Sequence, residues 1–202
     1  MTLSKFAFRN KSPRTKAGIA LILTLVVGLV SNWFHPFGAP LPAIGSFFDP
    51  AKGFWQNAEA VGSMENQSLE LPFEGQSVTI AFDDRMVPHI FAESEVSAAF
   101  AQGYVTAQNR LWQMDIATRS VSGRLSEILG ERPLKRDLLQ RRKGLVFAAE
   151  RALESWKKTP GEMALIEAYT AGVNAWVDAL EPEQYPLEFK LLGYAPESWT
   201  PL

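Results

Sequence analysis

The chain has 202 residues, with 20 basic and 22 acidic side chains and a formal charge of −2. That is room for one domain with a sizeable core, and it gives no general electrostatic reason to bind nucleic acid. There is no cysteine, and the only histidines are His35 and His89, which excludes disulfides, thiolate zinc sites, a cysteine nucleophile and any multi-histidine metal cluster.

Lys5, Arg9, Lys11, Arg14 and Lys16 precede an uncharged run, AGIALILTLVVGLVSNWF, over residues 17–34. Its length falls within the roughly 17–25 residues that a helix needs to cross a bilayer. The one-sided basic flank predicts that residues 1–16 stay in the cytoplasm and that 17–34 is a transmembrane signal-anchor. No good small-x-small cleavage site follows the apolar run, so an uncleaved anchor is expected. The rest of the chain is then expected on the extracytoplasmic (periplasmic) side of a single-pass membrane protein. Residues 35–67 are rich in proline and glycine and read as a connector, with Phe37, Phe47, Phe48 and Phe54 placed to meet lipid or the domain.

Leu69, Leu71 and Phe73 alternate with polar neighbours, as do Val78, Ile80 and Phe82 after Glu74-Gly75-Gln76. The pattern predicts a hairpin with a three-residue loop, and Pro72 puts its first strand at an edge. A turn over Asp83–Pro88 leads to a short strand at His89–Ala92. A helix is expected from Ser94 or Ser97, either of which can cap it. Phe100, Gly103, Tyr104, Ala107, Leu111 and Met114 form one apolar stripe, and Val105, Trp112 and Ile116 a second. Between them runs a neutral stripe of Gln102, Thr106, Asn109 and Gln113, expected to find partners inside protein. Gly103 and Ala107 leave space for another backbone. A glycine-stopped turn is expected over Ser122–Gly130. Lys135, Arg136, Arg141, Arg142 and Lys143, around Asp137, read as a solvated helix face. Thr159-Pro160-Gly161-Glu162 predicts a capping box opening a last helix whose buried face is Ile166, Tyr169, Val173, Trp176 and Leu180, ended by Pro182 and Pro186.

Catalytic signatures are sparse. The chain has no G-x-G-x-x-G, P-loop, H-E-x-x-H or G-x-S-x-G. His89 beside Pro88 reads as a structural histidine, and the adjacent Asp83 and Asp84 would point to opposite faces of a strand.

Five stretches in order, FDDRMVPHIFAES, FAQGYVTAQNRLWQMD, SGRLSEILG, YTAGVNAWVD and LEFKLLGYAPESWTP, closely resemble the start of the penicillin acylase (penicillin amidase) family. The resemblance runs from Val78 to the end. It implies an N-terminal-nucleophile (Ntn) amidohydrolase, made as a precursor that cleaves itself, with members acting on penicillins, cephalosporin-type side chains and acyl-homoserine lactones. The implied fold class is α+β, a mainly helical fragment with short N-terminal β-strands, part of a four-layer αββα sandwich. Residues 68–202 would be the truncated N-terminal part of that domain.

The resemblance places the nucleophile, usually serine, at the start of a second chain, so no catalytic residue is assigned here. It implies calcium in the complete enzyme, with no metal-ligating or cofactor-binding residue in this chain. The expected partners are the remainder of the precursor, including its β chain, the membrane and a small-molecule amide, and no nucleic acid. Alone the fragment is expected to be inactive and to fold poorly. Met86 stands where the family commonly has glycine, and Asn109 where it usually has aspartate. Ser31-Asn32-Trp33 only superficially resembles the family's nucleophile start. A membrane-tethered helical binding module without catalytic activity is the alternative.

Overall fold

A computed structural model describes residues 12–33, 45, 48, 49 and 67–202. His35, most of the connector and Lys5, Arg9 and Lys11 lie outside the described residues. Helix α1, Pro13–Trp33, has no buried residue and is long and apolar enough to cross a membrane, a test that a signal sequence passes equally. It is therefore not a core helix of this domain.

Strands β1 (Ser68–Phe73), β2 (Gln76–Phe82) and β3 (Pro88–Phe91) form one antiparallel sheet in the order β1-β2-β3. Pro72 thus sits in an edge strand, where a missing N–H costs little. The loop between β1 and β2 is shorter than expected. Phe73 pairs with Gln76, leaving only Glu74 and Gly75 at the turn, with φ of 50° and 78°. Left-handed conformation at both positions is the type I′ geometry that fits strand twist.

Helix α2 runs from Glu95 to Ser122. Ser94 caps it, its hydroxyl accepting from Ser97 N–H at 3.1 Å, while Ser94 N–H donates to the Ser97 hydroxyl at 3.2 Å. Both candidate serines act, as two halves of one capping box. Short α3 (Ser126–Leu129), α4 (Leu134–Arg142) and α5 (Leu145–Trp156) lead to the long α6 (Pro160–Ala179), and α7 (Leu187–Leu192) follows a 3₁₀ turn at Pro182–Gln184. Thr159 makes no side-chain cap bond, so the expected capping box at α6 does not form, and Pro160 alone marks the start. Helix α5 was not anticipated, although its apolar positions recur at helical spacing, because no capping side chain marks its start.

Two cores meet along α2. On one side Ala101 and Val105 pack on Val78, Ile80 and Phe82 of the sheet, and Phe73 stacks on Phe100 at 4.2 Å. On the other, Ala107 and Leu111 pack with Val173 of α6 and Phe189 of α7. The helices touch backbone to backbone. A Cβ on Gly103 would fall on the Tyr169 carbonyl oxygen, and one on Gly172 would fall on that of Phe100. Space at Gly103 was expected from the sequence, but its reciprocal partner Gly172 was not.

The amide stripe departs from expectation. Gln102, Asn109 and Gln113 are exposed, and their bonds stay within the helix. The Thr106 hydroxyl donates to the Gln102 carbonyl at 2.7 Å, and Asn109 Nδ2 to that of Val105 at 2.9 Å. Such side-chain bonds compete with the helical ladder. The helix kinks at the next residue, Arg110, with φ −143° and ψ 21°. A carboxylate at position 109 could not donate this bond, so asparagine there makes a different local contact from aspartate.

Candidate functional site

The turn before β3 is organised by Asp83. Its Oδ1 accepts from Arg85 N–H at 2.9 Å and Val87 N–H at 2.8 Å, and His89 Nε2 lies 3.6 Å from Oδ2. The Val87 N–H, then that of Arg85 and the nearby His89, hold this carboxyl below its ordinary range against a desolvation effect. His89 therefore does have a carboxylate neighbour, but a half-buried one already committed to backbone amides. This is a turn clamp.

Within that turn Met86 has φ 62°, the conformation for which glycine was expected. A side chain there costs about 1–2 kcal/mol in the left-handed region, partly offset by the greater unfolded-state freedom of glycine. Met86→Gly is accordingly expected to stabilise the chain by about 0.5–1 kcal/mol, read as a raised urea midpoint. A lowered midpoint would show that Met86, 45 % exposed, contributes packing that outweighs the strain.

The most concentrated chemistry lies where α2 ends. Asp115 and Arg119 share a face one turn apart and are both buried, and Arg119 Nε donates to Asp115 Oδ2 at 2.9 Å. Arg119 Nη1 reaches Glu127 at 2.8 Å, and Nη2 reaches Glu197 at 2.8 Å. Tyr194 donates its hydroxyl to Asp115 Oδ2 at 2.7 Å, and its ring lies 5.3 Å from the guanidinium carbon. Arg124 joins Glu127 and Glu197 from the solvent side, at 2.9 and 3.1 Å.

Burial opposes charge on Arg119, but Asp115 and Glu197 outweigh it and raise its pKa further, so it is cationic at any accessible pH. Burial and the Asp115 carboxylate push the Tyr194 phenol above its normal range, keeping it a donor. Every nitrogen of the Arg119 fork thus meets a carboxylate. The arrangement is a structural lock with no open position for a substrate.

A second polar clamp holds the last residues. Asn174 Nδ2 donates to the Trp199 carbonyl at 3.0 Å, and Trp199 N–H donates to Asn174 Oδ1 at 2.7 Å. The basic run divides in two. Asp137 is buried and accepts from the amide and hydroxyl of Ser126, while Arg136 reaches Ser120 and Arg141 reaches the Gly123 carbonyl. Lys135, Arg142 and Lys143 face solvent. Burial alone would raise the Asp137 pKa, but the Ser126 bonds bring it below its ordinary value.

Two open hollows flank α6. One, of about 490 Å³, is lined by Glu95, Ala98, Ala99, Gln102, Leu165, Ile166 and Tyr169. The other, of about 460 Å³, lies between the β1–β2 turn, Ser94, Val96 and α6. Neither gathers a nucleophile beside a base. Ser31, Asn32 and Trp33 lie inside α1, where Asn32 donates to the Gly28 carbonyl, so Ser31 has no free amine. Among the described residues no group of three or more His, Asp or Glu could hold a metal ion. The described residues do not by themselves make up a calcium site.

Residues 77–202 match the penicillin amidase family model. Penicillin acylase 2 proenzyme of Pseudomonas sp. (strain SE83) is 39 % identical over 99 residues, covering 49 % of this chain and 12 % of that protein. Acyl-homoserine lactone acylase QuiP of Pseudomonas aeruginosa (strain PAO1) is 34 % identical over 99 residues, covering 49 % of this chain and 11 % of its own length. Among solved structures, a thermostable penicillin G acylase from Alcaligenes faecalis superposes with a TM-score of 0.56 at 29 % identity, over 66 % of this chain and 67 % of that one. The chain therefore spans only about an eighth of the curated relatives it matches, at 12 and 11 %.

The five stretches that carry the resemblance are the ones the fold joins. Asp115, Arg124 with Glu127, Asn174, and Tyr194 with Glu197 come from four of them, and all take part in the lock or the clamp. Sequence reading missed this network because no local spacing links Asp115 to Tyr194 or Asn174 to Trp199. Only the pair Asp115–Arg119, at i,i+4, carried a signal.

Proposed function

This chain belongs to the penicillin amidase family, and on that premise we propose that it is the N-terminal scaffold of a membrane-tethered amidohydrolase. The complete enzyme hydrolyses a linear amide, such as a penicillin side chain or an acyl-homoserine lactone. The observation that carries this reading is the family match over residues 77–202.

The chemistry belongs to polypeptide outside these 202 residues. There an N-terminal serine hydroxyl adds to the amide carbonyl carbon, and its proton passes through the serine's own α-amine to the departing nitrogen as the C–N bond breaks. Water then hydrolyses the acyl ester. A free amine and a hydroxyl on one residue are required, so no internal serine of this chain substitutes. Backbone N–H groups stabilise the oxyanion in both steps.

This chain's part is support. The α2–α6 pair, with its backbone contacts and the lock around Arg119, offers a rigid face against which the sandwich packs. The exposed stripe of Gln102, Asn109 and Gln113 and the hollow beside it are consistent with a further layer of protein on that side. Helix α1 serves as the anchor, with the domain on the periplasmic side. Calcium, if the whole enzyme uses it, is held elsewhere.

The test is an assay of the purified 202-residue chain on penicillin G and on an N-acyl-homoserine lactone, with and without a co-expressed C-terminal portion of a family precursor. No turnover alone and turnover on co-expression is the expected result. Robust turnover by the chain alone would overturn the scaffold assignment.

A further inference from the structure

We propose that the face formed by α4 and α5 is a docking surface for an anionic lipid bilayer. The proposal rests on the reading of α1 as a membrane anchor. Charge is its first ground. Residues 131–158 hold nine of the chain's 20 Lys and Arg side chains against four of its 22 acids. One of those acids, Asp137, is buried and bonded to Ser126. Five more cations, and no acid, lie in residues 1–16 beside α1. Everything else, residues 17–130 and 159–202, carries six cations against 18 acids. The remainder of these 202 residues is acidic, and their basic regions are the flank of the apolar helix and the α4–α5 segment. Near an anionic surface such a molecule turns the α4–α5 face inward and the remainder outward.

The second ground is what stands among the cations. Leu138 and Leu139 on α4, with Val146 and Trp156 on α5, are 39–54 % exposed. The side chains of Lys135, Arg142 and Lys143 are exposed beside them and make no hydrogen bond or ion pair among the described residues. Protein–protein interface cores are depleted of charge, so leucines and a tryptophan interleaved with free cations suit that partner poorly. They suit the headgroup layer, where apolar side chains enter the acyl boundary and cationic tips snorkel to phosphate. The anchor completes the argument. A face too weak to bind lipid from solution docks readily once it is held at the same bilayer, because the second contact is intramolecular.

The absence of native cysteine makes a site-specific probe clean. An environment-sensitive nitrobenzoxadiazole label goes on Ala149→Cys in exposed α5 and, as a control, on Asp178→Cys at the acidic end of α6. The full chain is mixed with vesicles of phosphatidylcholine alone or of an equimolar mixture with phosphatidylglycerol. Flotation with phosphatidylcholine vesicles reports the anchor, and blue-shifted emission reports docking. The expected result is flotation with both vesicles, with a blue shift at position 149 only in the anionic ones, reversed by salt, and none at 178. Neutralising these cations together, as K135Q, R142Q and K143Q, should lower the docked fraction by about a hundredfold while flotation persists.

A label at 149 that stays solvent-like on floating anionic vesicles, or shifts equally on neutral ones, overturns the docking surface and leaves the anchor standing. A shift that grows with protein concentration in the absence of vesicles assigns the face to a protein partner and also overturns it. A chain that floats with neither vesicle type removes the anchor. Because the face is too weak to bind lipid from solution, that result ends the docking surface with it.

Discussion

Replacing Gly172 by alanine is expected to destabilise the chain by about 3 kcal/mol or more, although alanine is the better helix former. Propensity alone favours the change by about 0.8–1 kcal/mol in a helix interior. Packing opposes it. The new Cβ would fall on the Phe100 carbonyl oxygen, with the Phe100 carbonyl carbon at 2.8 Å and the Tyr104 nitrogen at 2.9 Å. All three are backbone atoms of α2, which have no rotamer with which to yield, so the helices must separate and lose the contacts of Ala107, Leu111 and Val173. Gly103→Ala meets the Tyr169 carbonyl in the same way. Gly161→Ala, with nothing within 4 Å, is the control of opposite sign and should be neutral or slightly stabilising. Urea unfolding in mild detergent, followed by circular dichroism, reads all three. A raised midpoint for Gly172→Ala would contradict the close helix contact.

Loss of Arg119 is the second large effect. Arg119→Met fills a similar volume but leaves buried Asp115 without its cation and sets Glu127 and Glu197 side by side. An uncompensated buried charge costs about 3–5 kcal/mol. Arg119→Lys should recover little, because one ammonium cannot reach three carboxylates arranged around a planar fork. Arg124, 37 % exposed at its side chain, pairs with two of the same acids, yet Arg124→Met should cost under about 1 kcal/mol because water screens it. The contrast between the two arginines is the test, and equal losses would mean that the network is solvated throughout.

A pH signature follows from Glu197. The hydrogen bond from Arg119, with that from Arg124, holds its carboxyl below the ordinary 4.5 despite partial burial. A depressed folded pKa contributes stability that is present above the unfolded value and lost as pH falls through the folded one. Release of the Tyr194–Trp199 segment is therefore expected to begin below about pH 4.5, with a modest slope because Glu197 is half exposed. In Arg119→Met that slope should flatten.

Much of the secondary structure was legible in the residues. Alternation at Leu69–Phe73 and Val78–Phe82 specified the hairpin faces, and the stripe from Phe100 to Met114 specified which side of α2 is buried. Local backbone demands were legible too. Met86 has the positive φ that a glycine would ease. Three features were not legible, for separate reasons. Thr159 had the right spacing for a capping box but makes no cap bond, since spacing does not set the dihedrals of a loop end. The turn at Glu74 closed one residue shorter because strand pairing extended through Gln76. The neutral stripe on α2 satisfied itself along its own helix, where asparagine and threonine can reach carbonyls one turn back.

By itself the sequence determined the apolar N-terminal helix and the periodic faces, because these depend on residues within one or two helical turns of each other, and the family resemblance, because five motifs stand in order along it. Only the tertiary structure decided that Gly103 meets Tyr169 while Gly172 meets Phe100, that Arg119 is enclosed by Asp115, Glu127 and Glu197, and that Asn174 grips Trp199. Those contacts join positions up to 79 residues apart, as Tyr194 and Asp115 are. A pattern of charges or glycines carries no distance along the chain beyond its own element. The approach of α2 to α6, driven by burial of their apolar stripes, is what selects which small residue and which ion face each other.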